Sequence, residues 1–363
     1  MDDLLAEHIR ETSKKGLSRS EIRTLLLRSG WPEQTVKEYI ERNFKSVEKG
    51  AVISVHNLGK AFDSSHILEN VEFDVRSGEI FGIIGMSGAG KTTLLNLLVG
   101  FLKPDRGDVL FVLPDGSSSS VFQNVDAVKR LVGFSTQTPS FYSRLTVREN
   151  LEHFASLYGL HEPDRTRRCN ALMDLVGLKD AREVIASHLS GGMQKRLDIA
   201  CAIIHDPAIL ILDEPTADLD PVLRKQFWEL IRKINDKGTT IILASHFLAE
   251  IELLCSRIAI LQNKRIVEIG TADELRNIYS KNYEIYLQTA AGKYGRLVKE
   301  LEQKKRFFAK VYESDNELIV ETPRPERILP AISDYFEKQR DQMISLHVSR
   351  PSLGKVFEAV VKR

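Results

Sequence analysis

The sequence predicts an α/β protein with a parallel sheet, preceded by a small helical segment and followed by an α+β domain. Three observations predict this class. Strand-like and helix-like runs alternate from residue 51 to about residue 280. Several strands, such as Ile80–Ile84 and Ile209–Leu212, are unbroken apolar runs, which is typical of strands buried on both faces. After residue 281 the elements follow the order βαββαβ, which is the order of ferredoxin-like folds.

Length and composition exclude several other classes of protein. The chain has 363 residues, enough for two or three domains of about 100–200 residues each. The 51 Lys and Arg residues nearly balance the 50 Asp and Glu residues, which argues against a nucleic-acid partner. Three cysteines without CxxC spacing indicate neither a disulfide framework nor a zinc site. No apolar run reaches the roughly 18 residues of a membrane span, so we expect a soluble intracellular protein.

Residues 1–49 predict a small helical module. Ser18 and Glu21 have the spacing of a capping box, and Gly30 suits the end of that helix. Trp31 and Pro32 then open another helix. The module could dock a partner, regulate the protein itself or stabilise the rest of the chain, and the sequence leaves all three interpretations open. The predicted domains are therefore 1–49, 51–280 and 281–363.

The predicted elements follow from local pattern. In the central domain we expect long amphipathic helices at 148–158 and 221–235, and we expect a flexible loop at 115–120. The C-terminal domain is predicted to hold helices at 294–303, 326–339 and 353–361. The predicted strands are 52–55, 71–75, 80–84, 109–112, 131–134, 209–212, 240–243, 258–261, 283–287, 307–311, 317–321 and 343–348.

A phosphate-binding motif follows the strand Ile80–Ile84. The residues GMSGAGKT match G-x-x-x-x-G-K-[ST] between a strand and a helix, so backbone N–H groups can surround phosphate oxygens. Lys91 can reach the outer phosphates and Thr92 can ligate Mg²⁺. A chance glycine-rich turn would rarely have this context. The predicted nucleotide contacts here are Gly85, Met86, Ser87, Gly88, Ala89, Gly90, Lys91, Thr92 and Thr93.

A second motif, ILILDEP, ends a buried strand in two acids. Asp213 is placed to stabilise the hydration shell of Mg²⁺, and Glu214 is placed to polarise an attacking water. Paired acids at a strand end are often only solvated loop residues. The phosphate motif upstream favours the catalytic interpretation.

A third motif, HLSGGMQKR at residues 188–196, places a Ser-Gly-Gly turn before a helix. Such a turn can hold an anion, although alone it could be an ordinary helix cap. LSGGMQ between the two other motifs resembles the signature of ATP-binding-cassette (ABC) ATPases. Further motifs occur in that family's order: Phe62 resembles the adenine-stacking aromatic, Gln137 the Q-loop glutamine, Asp218–Asp220 the D-loop and His246 the switch histidine.

The resemblance covers about residues 51–275 and implies a P-loop NTPase fold of the ABC type with a helical subdomain. It implies ATP and Mg²⁺ as ligands, with Thr92, Gln137 and Asp213 at the metal. Glu214, His246 and Gln137 are the implied catalytic residues. It also implies a homodimer or pseudo-symmetric dimer, in which one chain's signature turn closes over the other chain's ATP. Additional implied nucleotide contacts are Phe62, Ser190, Gly191, Gly192 and Asp220.

The resemblance also implies a partner in the membrane. In transporters of this family, the segment matching Pro139–Glu149 docks a transmembrane permease subunit, and Phe141, Tyr142 and Leu145 are candidate contacts. Those side chains could equally pack inside the helical subdomain. The tail Ser349–Val361 resembles that of exporter-type (type-2) systems, so we expect export and a cytoplasmic location at the inner face of the membrane.

A soluble ABC ATPase for DNA repair, translation or iron–sulfur assembly is the main alternative. Repair types carry long coiled coils between the nucleotide motifs, and no heptad pattern occurs between Thr92 and Leu189. Translation types usually have two cassettes, and one is present here. A non-catalytic scaffold is disfavoured because Glu214 and His246 are both present.

Overall fold

The computed structural model describes the chain in two compact units, which divide between Ile269 and Gly270. The sequence placed this boundary near residue 280. The helix Ala272–Tyr279 belongs to the second unit because it packs against the helix Leu353–Val361. The predicted helical module of residues 1–49 lies outside the described residues. The structure describes residues 50–63, 65–113, 116–279, 282–302, 305–314, 316–338 and 342–361.

The first unit contains ten strands, seven α-helices and two short 3₁₀ helices among its described residues. The strands are β1 Ala51–Phe62, β2 Ser65–Arg76, β3 Ile80–Ile84, β4 Arg106–Val112, β5 Ser118–Ser120, β6 Val132–Ser135, β7 Ile209–Asp213, β8 Thr240–Ser245, β9 Arg257–Gln262 and β10 Arg265–Gly270. The helices are α1 Lys91–Leu98, α2 Val125–Leu131, α3 Val147–Leu157, α4 Asp164–Val176, α5 Gly191–Ala202, α6 Pro221–Asn235 and α7 Leu248–Leu254.

A six-stranded sheet in the order β10-β9-β3-β8-β7-β6 forms the centre of this unit. Strand β3 pairs in parallel with β8 and β9, and β7 pairs in parallel with β6 and β8. Every residue of β3, β7 and β8 is buried, in agreement with their unbroken apolar sequences. Because these strands are parallel, their carboxyl ends lie at one edge of the sheet. The residues that follow β3, β7 and β8 therefore meet there.

A second sheet, in the order β2-β1-β4-β5, is antiparallel. The expectation of a parallel arrangement is wrong for these strands. The link between β1 and β2 is only two residues long, too short for a parallel crossover. The loop predicted at 115–120 is also partly wrong. Ser118–Ser120 forms β5, and the Ser120 hydroxyl donates a hydrogen bond of 2.6 Å to Asp108.

The core of this unit lies around β3 and α1. Ile53 and Phe111 from the antiparallel sheet pack with Ile83 of β3 and with Leu94 and Leu98 of α1, and all five are fully buried. Burying one such side chain stabilises the fold by about 1.5–3 kcal/mol. The phosphate motif between β3 and α1 is thus held at both of its ends by buried elements.

Helices α3, α4 and α5 pack together as the helical subdomain. Helix α3 begins at a full capping box formed by Thr146 and Glu149. Asn150 is fully buried and bonds backbone groups of Tyr142, Leu145 and Thr146, which holds the segment before the helix. All three cysteines of the chain are buried with free thiols.

The second unit has the predicted βαββαβ order, with helices α8 and α11 at its two ends. Its sheet has the order β12-β13-β11-β14, and all three strand pairs are antiparallel. The strand predicted at 307–311 starts later, because Lys305–Phe307 forms a 3₁₀ turn. Its elements are α8 Ala272–Tyr279, β11 Tyr283–Thr289, α9 Gly295–Glu302, β12 Lys310–Ser314, β13 Glu317–Thr322, α10 Pro325–Lys338, β14 Met343–Ser349 and α11 Leu353–Val361.

An ion pair between a half-exposed lysine and a buried glutamate joins α11 to the sheet of the second unit. Lys355 Nζ lies 2.7 Å from Glu284 Oε1, and the Tyr286 hydroxyl donates to Glu284 Oε2 at 2.6 Å. Both contacts satisfy a carboxylate that is almost fully buried. No helix in the described part of the chain is long and apolar enough to cross a membrane.

A half-buried histidine, His205, makes the stability of the first unit dependent on pH. The His205 ring stacks on Tyr158 with centroids 3.7 Å apart, and burial lowers the pKa of His205 to about 4. The unfolded chain therefore binds a proton between about pH 6.5 and pH 4 that the folded chain does not bind. We expect the free energy of unfolding to fall as pH drops through this window, by on the order of 2 kcal/mol.

Denaturant unfolding at about pH 7 and about pH 4.5 measures this loss. His205→Phe keeps an aromatic ring on Tyr158 but cannot bind a proton, so its stability should fall less between the two pH values. His161→Phe is the matched control, because His161 is exposed. An equal loss of unfolding free energy in the parent and in both variants would show that His205 is not the group responsible.

Candidate functional site

The phosphate motif forms a tight loop between β3 and α1. Gly90 caps the helix in the left-handed region, with φ of 101°. A Cβ added at Gly85 would lie 2.7 Å from the carbonyl oxygen of Leu261, so the close approach of the two backbones requires glycine there. Lys91 is buried and folds back over the loop. Its Nζ donates to the carbonyl oxygens of Gly85 at 2.9 Å and Met86 at 3.3 Å.

Glu214 lies between a lysine and a histidine at the end of β7. Its Oε1 is 3.3 Å from Lys91 Nζ, and its Oε2 is 2.8 Å from His246 Nδ1. Its backbone N–H donates to the carbonyl oxygen of Ala244 in β8 at 2.9 Å. Its φ of 46° is in the left-handed region, which is uncommon for a residue other than glycine. The neighbouring strand thus holds the carboxylate beside both Lys91 and His246.

Asp213, the other acid of the motif, is only 1% exposed. Burial raises the pKa of Asp213, while a hydrogen bond with Thr92 and the charge of Lys91 act in the opposite direction. Its Oδ1 has no hydrogen-bond partner among the residues that the structure describes. A buried carboxylate oxygen without a partner is suited to a cation or to the water bound to one.

The residues available for Mg²⁺ fit that ion. Thr92 and Asp213 supply oxygen atoms at the base of the phosphate loop, and Gln137 lines the same cleft. Within the described ranges, no group of three or more His, Cys, Asp and Glu side chains could hold a metal ion. This is compatible with Mg²⁺, which keeps several waters and binds through one or two carboxylates together with substrate phosphates.

A cleft of about 590 Å³ brings most of the predicted residues together, although they are spread over 185 positions from Phe62 to His246. Its volume is in the range of small-molecule sites. The Phe62 ring is 45% exposed, and Lys60 Nζ lies 5.4 Å from its centroid. The cleft is lined by Phe62, Ile67, Ser87, Gly88, Gly90, Lys91, Thr92, Thr93, Gln137, Glu214 and His246.

Other predicted residues do not line this cleft. Gly85, Met86 and Ala89 belong to the loop beside it, and Asp213 is buried at the end of β7. The remaining four stand at the starts of two helices. Ser190 caps α5, followed by Gly191 and Gly192, and Asp220 caps α6 by accepting the N–H groups of Val222 and Leu223 at 2.9 and 3.0 Å.

Glu214 also lines a smaller cavity of about 250 Å³. Two signature residues, Gly191 and Gln194, line it together with Gln137 and Lys195. Gln137 and Glu214 line both cavities. The signature turn therefore lies near Gln137 and Glu214. None of its residues lines the larger cleft, which contains the phosphate loop of its own chain.

Sequence reasoning missed a buried network beside the site. Glu250 accepts a hydrogen bond from the Thr216 hydroxyl and lies 3.8 Å from Arg224. Arg224 also donates to the carbonyl oxygen of Leu219 at 2.8 Å and stacks on Phe247, 4.0 Å from its centroid. This network joins the residues after Glu214, the D-loop and the neighbour of His246. A charged residue on a short amphipathic helix normally faces water, so the sequence contains no signal for it.

Comparison with known proteins agrees with this geometry. A protein-family model described as ABC transporter matches residues 68–217. The linearmycin resistance ATP-binding protein LnrL of Bacillus subtilis is 27% identical over 306 residues, 84% of this chain and 97% of that protein. The probable multidrug ABC transporter ATP-binding protein YbhF of Escherichia coli is 35% identical over 225 residues, 62% of this chain. The chain spans 38% of the length of YbhF.

A solved structure of the ATP-binding subunit of an ABC transporter shares the fold. It is 31% identical, with a TM-score of 0.57, and the match covers 63% of this chain and 93% of that one. The resemblance found in the sequence and the predicted α/β class with a P-loop are confirmed. The chain belongs to the family of ABC transporter ATP-binding proteins.

Proposed function

We propose that this ATPase drives transport, in the direction of export, through a separate transmembrane permease subunit. The observation that carries the ATP-hydrolysing part of the proposal is the cleft in which Lys91, Glu214 and His246 converge. The names of the relatives add support, since one refers to linearmycin resistance and another to multidrug transport. A cytoplasmic location at the inner face of the membrane belongs to the same proposal.

The chain's own residues account for binding and hydrolysis of ATP. Backbone N–H groups of the phosphate loop and the start of α1 hold the phosphates, and Lys91 moves its ammonium group onto them. Mg²⁺ held through Thr92, Asp213 and Gln137 would neutralise phosphate charge. Glu214 accepts the proton of the attacking water, and His246 orients that carboxylate through the 2.8 Å contact. Phe62 offers an exposed ring face to the base.

A dimer of this chain completes the site. Ser190 is exposed at the positive end of α5 and lies outside the cleft of its own chain. A second chain arranged head to tail, related by a two-fold axis, would bring its Ser190 and Gly191 to the phosphate loop. The signature N–H groups would then bind the γ-phosphate of the partner's ATP.

The permease is proposed to dock on the helical subdomain. Tyr142 is 51% exposed and contacts His153 edge to face, while Phe141 and Leu145 are half-buried. Leu157, Val184 and Ile185 are also exposed in this subdomain. Wild-type chain should therefore capture a membrane protein with several spans from solubilised membranes, and Tyr142→Arg should lose it. Val267→Arg, on β10, is the matched control.

Replacing Lys91 with methionine tests the ATPase site. We expect ATP hydrolysis to fall by at least about 100-fold, because the phosphates lose the ammonium group that the phosphate loop supplies. Phosphate release by the purified chain measures this. Lys103→Met removes an exposed lysine and should leave the rate unchanged. A rate for Lys91→Met close to that of the parent would rule out the proposed site.

A further inference from the structure

Two buried charged residues of α5 bind the segment that contains Gln137. We define the Q-loop segment as residues 135–140. Asp198 is 1% exposed, and its Oδ1 accepts the backbone N–H of Ser140 at 2.7 Å. Its Oδ2 accepts the hydroxyl of Ser135 at 2.5 Å. One carboxylate therefore ties both ends of the Q-loop segment to α5.

Lys195, one turn earlier on α5, binds the middle of the same segment. Its Nζ donates to the carbonyl oxygen of Thr136, directly before Gln137, at 2.9 Å. The same Nζ lies 3.9 Å from Asp198 Oδ2. Lys195 also lines the smaller cavity together with Gln137 and Glu214. Three of the six residues in the Q-loop segment are thus held by two side chains of α5.

Burial of the Lys195 and Asp198 side chains costs free energy, because both charged groups lose hydration. Lys195 is only 8% exposed, and burial lowers the pKa of Lys195 while it raises the pKa of Asp198. Loss of hydration therefore outweighs the attraction between the two charges. Apolar side chains of similar size would often stabilise such a position more. The pair is better explained by the geometry it imposes on the backbone than by a contribution to stability.

The position of the Gln137 side chain depends mainly on the backbone of the Q-loop segment. Gln137 is exposed and lines both cavities, so its position depends on the backbone on either side. That backbone is bound at Ser135, Thr136 and Ser140. The helix that binds it, α5, is capped by Ser190, which lies about 12 Å along the helix axis from Asp198 at about 1.5 Å per residue.

We propose that Lys195 and Asp198 are positioning residues that set the place of Gln137 beside Glu214, so that α5 and the Q-loop segment move as one body. The inference rests on the proposed function, because it assigns Gln137 a part in hydrolysis. It predicts that the pair acts on turnover through Gln137 and leaves ATP affinity largely unchanged.

A double-mutant cycle between Lys195→Met and Gln137→Ala tests the proposal. In the parent, Lys195→Met should lower kcat by about 10- to 100-fold and change KM for ATP by less than about twofold. In the Gln137→Ala background, the same substitution should cost less than about twofold in kcat. Arg196→Met is the matched control, because Arg196 lies on the same helix but bonds Val176 and Gln226. Its effect should be equal in both backgrounds.

Two results would overturn the proposal: an equal loss of kcat from Lys195→Met in both backgrounds, or a rise in KM with kcat unchanged. Ser135→Ala covers the case in which Lys195→Met does not fold. Ser135→Ala removes one hydrogen bond to Asp198 and should lower kcat by about threefold in the parent. In the Gln137→Ala background it should leave kcat unchanged. A folded Ser135→Ala protein with parental kcat would also contradict the proposal. If the proposed ATPase function itself is wrong, the parent protein will show no ATP hydrolysis. That result is different from either outcome that contradicts the positioning proposal.

Discussion

Replacing Glu214 with glutamine should lower ATP turnover by at least about 100-fold and leave ATP binding intact. The amide has the shape of the carboxylate but cannot accept the proton of the attacking water. It can still accept a hydrogen bond from Lys91, which lies 3.3 Å from Oε1 in the parent. The phosphate loop therefore keeps its structure. In the proposed dimer, ATP binding closes the two chains together and hydrolysis reopens them, so we expect the variant to accumulate as an ATP-bound dimer.

Phosphate release gives the turnover, and size-exclusion chromatography with and without ATP gives the dimer. Glu229→Gln, on the exposed side of α6, has the same change of charge and should behave as the parent in both assays. If Glu214→Gln hydrolyses ATP at the parental rate, Glu214 is not the general base.

Replacing Ser190 with arginine should abolish ATP-dependent dimerisation and lower turnover by at least about 100-fold. The arginine adds positive charge and bulk at the positive end of α5, where the partner's ATP is proposed to bind. It also removes the cap, in which the Ser190 hydroxyl accepts the N–H of Met193. Loss of a cap costs about 1 kcal/mol, too little to unfold the unit. ATP binding by the single chain should persist, because Ser190 does not line its cleft.

A mixing experiment separates a shared site from a site within one chain. Ser190→Arg has a damaged signature turn and an intact phosphate loop, and Lys91→Met has the reverse. In a head-to-tail dimer of one copy of each, one of the two sites has both intact parts. The mixture should therefore regain hydrolysis that neither variant has alone. Ser187→Arg, at an exposed position three residues earlier, should dimerise and hydrolyse ATP as the parent does.

Contiguous motifs could be predicted well because local backbone rules determine them. Strand Ile80–Ile84 and helix Pro221–Asn235 have the predicted bounds, since an unbroken apolar run and a capped amphipathic pattern depend on nearby residues. The phosphate loop follows from its glycines in the same way. The βαββαβ order of the second unit was also correct.

Features that depend on distant partners could not be predicted. Ser118–Ser120 resembles a loop in composition and becomes a strand only because β4 lies beside it. Asp198 and Glu250 resemble solvent-facing helix residues, but both are buried against loops far away in sequence. No local pattern distinguishes a charged side chain that faces water from one that binds another segment.

By itself, the sequence determined the family of this protein and the residue types that meet phosphate, because each motif is a short stretch whose chemistry and backbone geometry are local. Only the tertiary structure decided which motifs share a cleft. It brings Glu214 between Lys91 and His246, leaves Ser190 outside that cleft, and ties Gln137 to α5 through Lys195 and Asp198. These relations depend on strand order and helix packing, which bring together side chains that are far apart in the chain.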